Sequence, residues 1–152
     1  MPAASHADAE LILKLYDLRR EPEMRKARAW YIGQFWPQSA DEIIAVVRAM
    51  NTPENAWFRQ VGGYWGMAAS LVSHGALNEE LFLEPSISGE MFFVFAKLEP
   101  FLKDLREKMQ NPGFGAAIEK LIHSTQLAKD RFAQVSKNVE NLRKMRLEAK
   151  AS

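Results

Sequence analysis

Cysteine is missing from this 152-residue chain, which excludes disulfides, thiolate metal sites and a thiol nucleophile, and fits a reducing compartment. Histidine is scarce: only His6, His74 and His123, none in a recognised catalytic spacing. No H-E-x-x-H, G-x-S-x-G, P-loop or G-x-G-x-x-G pattern occurs, and GGYWG at 62–66 lacks the strand-to-helix setting in which glycines cradle phosphate. No uncharged apolar run approaches the roughly 18 to 20 residues of a membrane span. The opening residues, MPAASHADAE, carry no basic-then-apolar secretory pattern. The cytoplasm is therefore the expected location, with no membrane span, no metal and no cofactor. Internal repeats are absent as well.

What is present suits one folded unit. Apolar residues make up 47% and charged residues 26%, an ordinary globular balance, and a chain of this length buries roughly two-thirds of its unfolded surface. Net charge is +1, yet the signs are uneven. Residues 31–100 hold three basic and eight acidic groups, whereas residues 101–152 hold eleven and six, so the two sections attract each other. Acids interrupt the basic run throughout, which makes solvated helix faces the better reading and leaves nucleic acid out of the expected partners.

Thr52 to His74 is the stretch around which the rest is organised. Thr52 before Pro53 is a cap followed by a proline whose missing N–H is not needed in a first turn. Trp57, Phe58, Val61, Tyr64, Trp65, Ala68, Leu71 and Val72 then recur at steps of three and four. Gly62, Gly66, Ala69, Ser70 and Ser73 share another side. Each glycine inside a helix costs about 1 kcal/mol relative to alanine, so the small side is expected to be offset by the close approach of a second helix. Gly75 supplies the left-handed end.

Elsewhere Ser5 and Asp8 cap a first helix, a second runs from Pro22 to Pro37, and Ser39 with Glu42 opens a third. Asn78 caps one short turn. Another helix starts at Ser86 or Ser88 with the stripe Met91, Val94, Phe95, Leu98, Phe101, Leu102, Leu105 and Met109, broken or kinked near Pro100. MFFVF at 91–95 would also suit a strand, but no partner strand is evident. From Asn111 and Pro112 a helix of about 35 residues is expected, its seam Phe114, Ile118, Leu121, Thr125, Ala128, Phe132, Val135, Val139 and Leu142 running roughly 50 Å. Residues 143–152 are expected to fray. The fold expectation is thus all-α: a single-domain bundle of about six or seven helices over residues 1–152 with a long C-terminal helix.

Two sets of candidate functional residues follow. Trp30, Tyr31, Trp57, Tyr64 and Trp65 are many aromatics for this size and could line an apolar pocket, although helical spacing explains most of them as core. Phe132, Val135, Val139 and Leu142 would lie exposed in a monomer on so long a helix, which points to a two-fold homodimer or another protein partner. Glu119 and His123, four apart, read as a structural pair.

The stretch VGGYWGMAASLVSHGALNEELF at 61–82 resembles uncharacterised bacterial all-helical proteins of the domain-of-unknown-function type. In those, a helix of aromatic and small residues ends in a glycine and is followed by a short acidic turn and a long kinked helix. The likeness extends over about residues 30–122, with Gly66 standing where such relatives often carry an acid. The resemblance implies the helical fold and brings no catalytic residues with it. The expected function is a helical interaction or assembly module that self-associates. The alternatives are a small-ligand-binding helical domain, or an enzyme whose polar groups converge from distant segments; an enzyme is the lesser expectation.

Overall fold

A computed structural model describes residues 2–152 of the chain. Its order is α1 (His6–Arg19), α2 (Pro22–Gly33), α3 (Ala40–Arg48), α4 (Pro53–Ser73), the single turn α5 (Glu79–Phe82), α6 (Pro85–Leu98), a 3-10 turn (Glu99–Phe101), α7 (Leu102–Lys108), α8 (Ala116–Ile122) and α9 (Gln126–Ala151). Among the described residues there is no strand. MFFVF lies inside α6, where Met91, Phe92, Val94 and Phe95 are all buried. Pro100 sits in the 3-10 turn that separates α6 from α7, because a proline there cannot donate back to the preceding turn.

The bundle forms around α4, which packs on α2, α3, α5 and α8, while α6 packs on α8 and α9. The ends of α4 follow their sequence signals. The Thr52 side chain accepts from the Asn55 amide at 3.2 Å. At the other end Gly75 is left-handed (φ 76°), its N–H donating to Val72 O and that of Ala76 to Leu71 O. These two bonds satisfy carbonyls the helix would otherwise leave open. Phe58, Val61, Tyr64, Trp65, Ala68 and Val72 form its buried stripe.

The C-terminal segment differs from the expected continuous helix in two places. Asn111–Gly115 is a loop rather than a first turn: Gln110 (φ 53°) and Gly115 (φ 72°) are left-handed, and the Arg106 Nε donates to Phe114 O at 2.9 Å. Gly115 has a second reason to be glycine, since a Cβ there would lie 3.3 Å from the Phe95 ring. The seam breaks again at His123–Thr125. The Ser124 hydroxyl donates to Leu121 O at 2.7 Å, and the Thr125 side chain accepts from the Ala128 amide at 3.0 Å. Local side-chain hydrogen bonds thus compete with helix continuity, the usual effect of serine and threonine in tandem. α9 continues to Ala151, and Arg143 is buried on it.

Candidate functional site

The five aromatics expected to line one pocket fall into two packed groups. Trp30 lies 4.8 Å from Phe35 and 6.0 Å from Trp57, ring centre to ring centre, with Tyr31 5.0 Å from Phe35. Tyr31 is fully buried and its hydroxyl donates to Val94 O at 2.9 Å. On the next turns of α4, Tyr64 and Trp65 meet edge to face at 4.8 Å. The Tyr64 hydroxyl donates to Leu15 O, and the Trp65 indole N–H lies 3.4 Å from a Glu90 oxygen that Arg28 also holds. Burial raises both phenols, Tyr64 to about 12. These rings are chiefly core; Tyr64 and Trp65 also border a cavity of about 280 Å³ beside α1, and Tyr31 touches the larger one described below.

The residues expected at an intermolecular interface are partly covered within the chain. Phe132 (7% exposed) packs on Phe95 at 5.7 Å, and Val139 is 1% exposed. Val135 is half-buried, and of the four only Leu142 is open, at 40%. The cover comes from α6. Breaking the helix at Thr125 lets α9 lie along the bundle, which removes the geometric reason for an exposed seam. Glu119 pairs with Arg106 at 3.1 Å rather than with His123, whose ring meets Phe132 edge-on. The attraction between the acidic middle and the basic end appears as Lys108 to Asp41 at 2.7 Å.

The small side of α4 holds the largest departure from expectation. A Cβ built on Gly62, Gly63 or Gly66 would meet nothing within 4 Å, so although α8 packs on α4 and Ala69 of the same side is buried, no neighbour comes up against the three glycines. The three glycines instead floor a groove of about 470 Å³. Its walls come from α2, α6, the start of α7 and the 113–118 segment, through Tyr31, Val94, Phe95, Leu102, Phe114 and Ile118. Several helices thus converge on space that the chain leaves unfilled, at a size in the range of small-molecule sites. Met67, 47% exposed, stands at the rim.

One charged side chain borders this groove, Arg59, on the helical face that carries Gly62, Gly63, Gly66 and Ser70. Its Nε donates to Asn55 Oδ1 at 2.9 Å. Asn55 is fully buried, and its Nδ2 donates to Val46 O and Val47 O at 3.1 and 2.8 Å, closing the end of α3. The asparagine therefore fixes one edge of the guanidinium. The Nη atoms of Arg59 have no acceptor and no acid among the described residues. The sequence held the signal for the groove in its glycines, but read it as close packing; for Arg59 there was no signal beyond its place on α4.

A second polar centre is Lys97, completely buried in the last turn of α6. Its Nζ donates to Tyr31 O, to Ile32 O at 3.1 Å and to Phe35 O at 2.8 Å, and lies 3.7 Å from the Trp36 ring centre. The carbonyls of Tyr31 and Ile32 are left open at the end of α2, and Phe35 lies just beyond it, so the lysine is a cap reaching from another helix. Burial, with Arg146 and Arg143 behind it, pushes its pKa down to about 7. Arg146 covers Trp36 at 5.0 Å and Arg143 donates to Lys97 O at 3.1 Å. The three-way bonding makes this a structural centre. No group of three potential metal ligands occurs among the described residues.

A family model described as Domain of unknown function (DUF4760) matches residues 4–125. The chain belongs to this family. No match was found among curated proteins or among solved structures. The DUF4760 range takes in α1 to α8 and every residue that lines the groove, and it stops at Thr125, the cap of α9. No helix among the described residues is long and apolar enough to cross a membrane.

Proposed function

We propose that this DUF4760 chain is a helical binding module that takes the apolar part of a small molecule into the groove along α4. The observation that supports this most is the open space over Gly62, Gly63 and Gly66. Glycine inside a helix is unfavourable by about 0.8 to 1 kcal/mol each, and here no intramolecular contact repays it. A bound group against the bare backbone would. The test is ligand-dependent melting of the purified chain against apolar compounds of about ten to fifteen heavy atoms, the number a 470 Å³ space takes at roughly 30 Å³ each. A rise in Tm is expected in the wild type and not in Gly66→Leu, whose side chain would occupy the groove. A panel that leaves the wild-type Tm unmoved contradicts the reading.

Self-association through α9 is the second reading, and one observation favours it. Leu142 and Met145 are 40% and 62% exposed, three residues apart on one face of the helix, a patch a second copy could cover. Sedimentation at micromolar concentration decides it: a dimer that Met145→Glu dissociates supports it, and a monomer at all concentrations removes it.

A further inference from the structure

Resting on the groove reading above, we propose that the ligand is an amphiphile with an anionic head, a medium-chain monocarboxylate whose carboxylate pairs with Arg59 while its chain lies over the glycines. Among the residues bordering the groove Arg59 alone is charged, and no acid borders it. A cation at the rim of an apolar space selects a molecule whose charge stays at the mouth and whose body goes inward. The guanidinium is also prepared for this. Asn55, buried and tied to two carbonyls of α3, holds Nε, and the edge bearing the Nη atoms is left for a planar carboxylate, which an arginine grips with two parallel bonds. No acid is paired with it. The volume, about fifteen heavy atoms at full occupancy, suits a chain of about eight to twelve carbons.

The experiment is calorimetric titration of the full chain with decanoate and with decanol, both below their aggregation limits. Wild type, Arg59→Gln and Gly66→Leu are compared at low and high salt. Arg59 is exposed, and the glutamine amide can replace its Nε as donor to the buried Asn55 Oδ1; an unchanged Tm verifies this. The expected result is that Arg59→Gln weakens decanoate about tenfold or more, the loss of a hydrogen-bonded charge partner, and leaves decanol within about twofold. Salt should weaken decanoate alone, and Gly66→Leu should abolish both. Decanol binding with no preference for decanoate, or decanoate binding that Arg59→Gln leaves unchanged, overturns the anionic ligand and spares the groove. Decanoate binding that survives Gly66→Leu places it elsewhere and overturns the proposal. Failure of both probes on the wild type removes the groove reading as well.

Discussion

Lys97 shows how one residue can tie three helices together. Its ammonium closes the end of α2, its own carbonyl receives Arg143 from α9, and it belongs to α6. Lys97→Met keeps most of the volume but leaves the carbonyls of Tyr31, Ile32 and Phe35 without a donor, and should cost about 3 kcal/mol or more in urea unfolding. The same residue makes stability depend on pH. Its folded pKa of about 7 lies below the ordinary 10.5, so between these values the unfolded chain holds a proton that the native chain lacks. Stability should then climb with pH, by up to about 1.4 kcal/mol per unit. Tyr64, raised to about 12, works in the opposite direction once the unfolded phenol ionises near pH 10, so the window is about pH 7 to 9.5. Urea unfolding of wild type and Lys97→Met across it should show the slope only in the wild type; a parallel pair of profiles would mean that the carbonyls and the Trp36 face keep the ammonium charged. Trp65, 1% exposed and fitted against Tyr64 and Phe82, is a simpler case: Trp65→Ala should lose about 3 to 5 kcal/mol.

Helix ends were more legible than helix surroundings. Ser5, Ser39, Thr52 and Asn78 all cap as their sequence positions indicate, each accepting from an amide three residues on, because a cap is decided by a few neighbouring residues. Thr125 falls at a seam position by spacing and acts as a cap. It satisfies the heptad spacing and the capping rule at once, and the choice between them depends on whether α6 is there to receive Phe132. Thr125→Ala removes the acceptor for the Ala128 amide and should lower stability by about 1 kcal/mol in thermal unfolding. An unchanged Tm would show that the break is set by tertiary packing alone. The small side of α4 failed for a related reason: glycines at helical spacing announce that something comes near the backbone, but not whether it belongs to the same chain.

At the level of the whole molecule, α9 completes the bundle and leaves the groove outside it. Val139 is now a core residue, so Val139→Lys should unfold the chain rather than report on self-association, with a loss of several kcal/mol from a buried unpaired charge. The all-helical architecture and the central place of α4 were readable from periodicity. The groove was not, since its walls come from residues as far apart as Tyr31 and Ile118, and periodicity within an element carries no information about what several elements enclose. Whether that space is open in solution is the point on which the functional account rests. Urea unfolding of Gly66→Ala tests it most directly. With nothing within 4 Å of the added methyl group, the account predicts a gain of about 0.5 to 1 kcal/mol, the ordinary benefit of alanine over glycine in a helix. A loss of about 1 kcal/mol or more would show that another part of the chain already fills the groove.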